Sequence, residues 1–371
     1  MKIKKLSFYS YRNLVDGEID FCDDVNVFIG DNAQGKTNLL EAMWLCTGMR
    51  SFRGSKDSET VAFGKDKMKI SVDFYSKGRE QSVDFIIDRI EKSKKLYLNG
   101  ISADVSRIAE VYTAVVFSPQ NLSIITGGPA ERRRFVDTAL CQLKPGSVRL
   151  ITEYQRALFQ RNTVLKEAAI TENLDEMLDI FEEAIARLGA ELMFQRYKYL
   201  SLIKSAAEDF FSGLTMGNEK LELEYTGGEC TDKQAVYAQL LSKLKEGRKN
   251  DIRMGYTSNG PHRDDISVII NGLEAKVYGS QGQKRSCALA LKLAEAKILE
   301  DFSGEKPAIL LDDVMSELDH SRQKYILSRL YSWQVFITGC DRSIVKNGKD
   351  GKKSKFFSIS GGKTENVSSF E

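Results

Sequence analysis

Apolar and polar positions fall into stretches of different period. Residues 3–9 and 18–21 alternate in steps of two, and Val25–Ile29 is a short apolar run; all three are expected to be strands. Residues 37–47 carry a helical period. Residues 69–75, 82–88 and 95–98 read as three more strands, with the alternation clearest in Val83-Asp84-Phe85-Ile86-Ile87-Asp88. Asn99-Gly100 closes them with a tight-turn signal. Residues 113–117 form a buried strand ending at Pro119.

From Pro129 to Phe211 the period is helical almost throughout. Tyr154, Leu158, Leu165, Leu174, Leu178, Phe181, Ile185, Leu188 and Leu192 mark apolar stripes, which read as core. Folded back once, such helices reach ~40–50 Å at 1.5 Å per residue, too short for a long coiled-coil arm. After Gly213 strands return at Leu221–Tyr225 and Ile266–Ile270, around a basic helix at 233–248, and Asn271-Gly272 marks another turn. A helix at 283–301, a strand at Ala308–Leu311, a helix at 321–331 and strands at 335–338 and 355–359 complete the pattern. The expected organisation is an α/β domain split between residues 1–128 and 214–371, with a helical lobe, 129–213, inserted into it.

The junction of Val25–Ile29 with the following helix carries chemistry. Gly30-Asp31-Asn32-Ala33-Gln34-Gly35-Lys36-Thr37 is a phosphate-binding loop in its full context of strand, glycine-rich turn and helix. Its backbone N–H groups, from Gly30 through Thr37, suit the phosphates of a nucleotide. Lys36 suits the β- and γ-phosphates, the Thr37 hydroxyl suits Mg²⁺, and the helix adds its dipole. These features predict ATP and Mg²⁺ as ligands.

Two further pieces complete such a site. Ala308–Leu311 runs into Asp312 and Asp313, an apolar strand ending in two carboxylates. Asp312 is expected beside Mg²⁺, and Asp313 beside the attacking water as general base or water-positioner. Lys36 and Asp312 lie 312 − 36 = 276 residues apart, a spacing that calls for a large insertion. Upstream, Tyr278-Gly279-Ser280-Gln281-Gly282-Gln283 opens a helix, and a Ser and Gly there offer a hydroxyl, free N–H groups and a positive dipole end. Such a second phosphate site can meet the γ-phosphate held by another copy.

Composition narrows the class only slightly. Across 371 residues Lys and Arg total 54 against 52 for Asp and Glu, so net charge neither requires nor excludes a nucleic acid. The six cysteines are scattered and only two histidines are present, so a zinc site is not expected. No signal-peptide core and no apolar run near the ~20 residues of a membrane span is seen, which predicts a cytoplasmic protein.

With Ser10-Tyr11-Arg12-Asn13, Gly128-Pro129, Arg132-Arg133-Arg134-Phe135-Val136-Asp137, Ser258-Asn259-Gly260-Pro261-His262-Arg263-Asp264-Asp265 and Ser316-Glu317-Leu318-Asp319, these motifs resemble the RecF family along essentially the whole chain. That family sits in the SMC-like branch of the ABC-type ATPases. The resemblance implies an ABC-type ATPase head with an inserted helical lobe. It also implies a nucleotide site shared between two subunits, in which Arg12, Ser280, Gly282 and Gln283 join the P-loop as contacts. Its function would be ATP-dependent binding of single-stranded and gapped or junction duplex DNA in recombinational repair and replication. Weak DNA-stimulated ATP hydrolysis, an ATP-dependent homodimer, and RecR and RecO as partners follow from the same resemblance. A transporter ATPase subunit and a DNA scaffold using ATP structurally are the alternatives.

Two departures matter. Phe336-Ile337-Thr338-Gly339-Cys340 holds no histidine at the ABC switch position, which leaves Thr338 as the candidate γ-phosphate sensor. After Val115-Val116-Phe117 the chain reads Pro119-Gln120-Asn121, so Gln120 is the candidate residue for touching Mg²⁺ and water. Charge clusters are of two kinds. Glu172, Asp175, Glu176, Asp179, Glu182 and Glu183 read as a solvated acidic face. Lys243, Lys245, Arg248, Lys249 and Arg253, and the tail lysines 346, 349, 352, 353 and 355, are candidates for DNA phosphates. Arg132, Arg133 and Arg134 cannot share one helix face, so at least one is expected to turn inward.

Overall fold

The alternating segments of the first hundred residues form one antiparallel sheet, ordered Gly17–Asp20, Lys2–Tyr9, Lys67–Ser76, Arg79–Asp88, Ser93–Leu98, Ile101–Ser102. Every second side chain turns to the core, as in Met68, Ile70, Val72 and Phe74, and a helix, Lys36–Leu45, packs its Leu39, Leu40 and Met43 into the same cluster. Asn99 and Gly100 both take left-handed backbone conformations, as the turn between Ser93–Leu98 and Ile101–Ser102 requires.

The computed structural model describes residues 1–339 and 353–367. Its second sheet positions the chemistry. The order is Lys363–Val367, Ser354–Ser360, Val25–Ile29, Gln334–Gly339, Ala308–Leu311, Ala114–Phe117. All pairings are parallel except that of the edge strand Lys363–Val367. Parallel strands are covered on both faces, which is why Ala308–Leu311 and Ala114–Phe117 are unbroken apolar runs, buried throughout. The strand Lys363–Val367 carries too little apolar alternation to be read from sequence, and was not expected.

These two sheets belong to one unit, comprising Met1–Leu122, Asp209–Glu219 and Arg285–Glu371. The other unit comprises Ser123–Glu208 and Lys220–Lys284. The division departs from the expected lobe of 129–213 by taking in residues 220–284 as well. Leu221–Tyr225 and Ile266–Ile270 pair with each other in a three-stranded sheet. The helix Lys233–Met254 packs Leu240 and Leu244 against Leu150, Tyr154 and Ile185 of Gly146–Lys166 and Leu174–Leu214. Strand periodicity shows that a strand exists, not which sheet receives it. The helix Leu174–Leu214 is a single run of 41 residues, about 60 Å at 1.5 Å per residue and longer than expected.

The acidic stretch is also more than a solvated face. Arg248 donates to Asp175, Asp179 and Glu182, and Tyr237 donates to Glu183. Glu182 is fully buried and also accepts from Arg161 at 2.8 Å. Arg248 is therefore committed within its own unit and leaves the basic cluster. Of the tail lysines, 346, 349 and 352 lie outside the described residues. Among the described residues no helix is long and apolar enough to cross a membrane, and Cys22, Cys46, Cys141, Cys230 and Cys287 are free thiols.

Candidate functional site

The carboxyl ends of the parallel strands gather the predicted residues. Val25–Ile29 delivers the P-loop, and Gly35 takes φ +116°, a conformation open to glycine and strained for other residues. Ala33 is also left-handed, at φ +64°. The helix that follows, Lys36–Leu45, has no side-chain cap and no acidic residue in its first turn. Its leading N–H groups and dipole are thus free of a competing carboxylate. The buried Lys36 Nζ donates to the carbonyls of Gly30 at 2.6 Å and Asp31 at 3.1 Å, curling the loop around the ammonium.

Thr37 Oγ1 donates to Asp312 Oδ1 at 2.8 Å, although 275 residues separate them. The strand Gln334–Gly339 lies between the P-loop strand and Ala308–Leu311, and from it Thr338 reaches the same carboxylate oxygen at 3.0 Å. Thr338 Oγ1 also accepts the N–H of Asp313 at 3.0 Å. Asp313 sits at φ +53°, a left-handed conformation that Asp tolerates better than most residues, and is half-buried. Burial raises the Asp312 carboxyl above its ordinary range, and the Thr37 and Thr338 hydroxyls oppose that shift. A buried carboxylate beside a threonine hydroxyl is a hard-oxygen donor set, suited to Mg²⁺. A buried ammonium beside uncapped helix N–H groups suits phosphate oxygens. The residues present fit both groups.

Other predicted residues are placed differently. The Arg12 guanidinium lies on Glu41, donating to Oε2 at 2.8 Å and Oε1 at 2.6 Å, with Ser55 accepting a further bond at 2.6 Å. Glu41 is fully buried in the P-loop helix and also accepts from Tyr11 at 2.7 Å and from Ser51. Burial would lift its pKa, but the bonds from Arg12, Ser51 and Tyr11 outweigh burial and hold it below the ordinary range. Glu41 was missed from sequence; its one signal is a lone charge inside Leu39-Leu40-Glu41-Ala42-Met43. Gln120 is exposed on the single turn Pro119–Leu122 that follows the strand Ala114–Phe117. That strand runs parallel beside Ala308–Leu311, and Asp312 N–H donates to Phe117 O at 2.8 Å.

Ser280 opens the helix Gln281–Ser303 and belongs to the other unit. Its Oγ accepts from Gln283 N–H at 3.2 Å, and Gln283 Oε1 accepts from Ser280 N–H at 2.7 Å. This reciprocal capping box explains the Ser-x-x-Gln spacing on structural grounds. Gly282 lies in its first turn. Arg132 does turn inward, onto both Asp265 oxygens at 2.7 Å, and Arg133 donates to Asp264 O at 2.6 Å.

The RecF/RecN/SMC N terminal domain pattern matches residues 2–361. Clostridium perfringens RecF, a DNA replication and repair protein, is 38% identical over 342 residues, covering 91% of this chain and 92% of that one. The chain belongs to the RecF family. A second RecF protein, from Ruminiclostridium cellulolyticum, is 38% identical over 371 residues and covers 98% of each chain. The solved structure of the recombination mediator protein RecF-ATP in the RecFOR pathway superposes with a TM-score of 0.91 at 36% identity, over 99% of this chain and 98% of that one. The Smc head domain of Pyrococcus furiosus, at 16% identity and a TM-score of 0.57 over 99% of this chain and 96% of that one, shares the fold. The expected ABC-type ATPase head is therefore the fold of this chain.

Proposed function

We propose that this protein is an ATP-dependent DNA-binding protein of recombinational repair and replication. It binds single-stranded and gapped duplex DNA in the cytoplasm, with RecR and RecO as partners through its family. The observation that carries the reading is the convergence of Lys36, Thr37, Asp312 and Thr338 at the ends of three parallel strands. Lys36 and the loop N–H groups from Gly30 to Thr37 bind the nucleotide phosphates. Thr37 and Asp312 would hold Mg²⁺, which supplies charge neutralisation to those phosphates. Asp313, fixed through its N–H by Thr338, orients water as the base of a slow hydrolysis, with Gln120 as a second polar group. Arg12 acts through Glu41 of the P-loop helix.

Ser280, Gly282 and Gln283 present a helix N-terminus to the γ-phosphate held by a second copy. Each γ-phosphate then becomes an interface group, so ATP and ADP differ in how strongly they favour the dimer. In analytical sedimentation, wild-type protein should dimerise with ATP and not with ADP. Ser280→Arg should remain monomeric while still binding nucleotide, and Asp313→Asn should hold the ATP dimer. Equal monomer content with ATP and ADP would sink this reading.

A further inference from the structure

We infer that the loop spanning residues 257–265 builds a phosphate-binding site of its own, outside the nucleotide site. Almost every group in this loop is pinned. Thr257 is held by Arg161 and Asn162, Ser258 by Asp251, the Pro261 carbonyl by Arg196 at 2.6 Å, and Asp265 by Arg132. His262 is bracketed by Tyr154 at 2.7 Å and Thr257 O at 3.0 Å. Gly260 sits at φ +133°, and a Cβ there would lie 2.8 Å from the Tyr154 hydroxyl, so only glycine lets the bracket close.

So many contacts on so few residues exceed what an ordinary surface connection needs. They hold the backbone that carries Arg263 fixed beside Lys243 of the helix Lys233–Met254. Beside the loop lies a polar cavity of about 230 Å³, lined by Lys243, Ser258, Asn259, Arg263 and Asp264. The exposed Lys243 Nζ makes no hydrogen bond or close ion pair among the described residues, and its charge acts on Asp264 across the cavity wall. Arg263 is steadied by stacking over Tyr256, 4.9 Å from its centroid, and by one bond to Thr257 O at 3.2 Å, which leaves most of its donors free. The one carboxylate in the wall, Asp264, is turned to the Tyr225 hydroxyl. Asn259 Nδ2 is committed to Lys243 O and Ser258 Oγ, so the two cations with free donors beside a rigid loop are what match the oxygens of a phosphate monoester or phosphodiester.

A phosphate reaches this site either in a DNA backbone or as a free nucleotide or ion. The inference deepens the DNA-binding reading but has its own test. On full-length protein, anisotropy of a gapped duplex is followed across salt concentrations for wild type, Lys243→Gln and Arg263→Gln. Each phosphate contact contributes roughly 0.9 to the slope of log affinity against log salt. A slope reduced by about one contact in each variant, with unchanged melting temperature, assigns the site to the DNA backbone. In parallel, inorganic phosphate and deoxynucleoside monophosphate are titrated by NMR. Saturable shifts in wild type that vanish in both variants, with the DNA slope unchanged, assign it to free phosphate. If the variants match wild type in both arms, the site does not exist. If wild type itself does not bind DNA, the proposed function fails, and the phosphate titration still decides the site.

Discussion

Thr338 shows how much one hydroxyl holds together. It donates to Asp312 and accepts from Asp313 N–H, so Thr338→Val strips a buried carboxylate of one donor and leaves the half-buried Asp313 amide unpaired. That should lower unfolding free energy by about 1–3 kcal/mol in denaturant titration, and Thr338→Ser should recover most of it. His262 gives a pH signature. Its Nε2–H faces a carbonyl and its Nδ1 accepts from Tyr154, so the neutral ring is the satisfied form. Burial pushes its pKa down to about 4, with Arg263 and Arg133 adding to the shift and the Thr257 bond and Asp251 opposing it. The unfolded chain takes up this proton near pH 6.5 and the folded chain only near pH 4, so stability falls as pH drops between them. The loss reaches about 3 kcal/mol at the acid end, from 1.36 kcal/mol per pKa unit. Unfolding midpoints from pH 7 to pH 4.5 should fall more steeply for wild type than for His262→Gln. Lys36, Thr37 and Asp312 were legible because motif and spacing name them. Thr338 was legible only as a substitute for a missing histidine, and Glu41 hardly at all, because a buried partner leaves no pattern.

At the scale of elements, Arg161 ties three helices together. From Gly146–Lys166 it reaches Glu182 on Leu174–Leu214 at 2.8 Å and Asp251 on Lys233–Met254 at 2.7 Å, all fully buried. Arg161→Leu leaves two carboxylates in the interior. It should cost about 3–5 kcal/mol of stability, read as a lowered denaturation midpoint. Periodicity had located these helices, but not the pairing of their charges. Read separately, the stretch rich in Asp and Glu is a solvated face and the helix rich in Lys and Arg a candidate for DNA phosphates. Contact between them converts Arg248, Asp175, Asp179 and Glu182 into one network. The strands were legible where apolar residues alternate or run together, and illegible at Lys363–Val367, whose place at a sheet edge demands neither.

For the whole molecule, the proposed function makes assembly the readout of the Thr37–Asp312 pair. Chelating Mg²⁺ with EDTA while keeping ATP present should return the protein to the sedimentation of the monomer. The P-loop, the Asp312 strand and the Ser280 helix start were determined by the sequence alone, because each is a local pattern set by chain chemistry. So were the family likeness and most strand and helix positions. Only the tertiary structure decided that Gln334–Gly339 would lie between Val25–Ile29 and Ala308–Leu311 and bring Thr338 to Asp312. It alone assigned residues 220–284 to the second unit, and it alone closed the 257–265 loop beside Lys243. These are pairings between distant segments. A short strand or a lone charge satisfies the same local rules with many partners, and only the packed chain selects one.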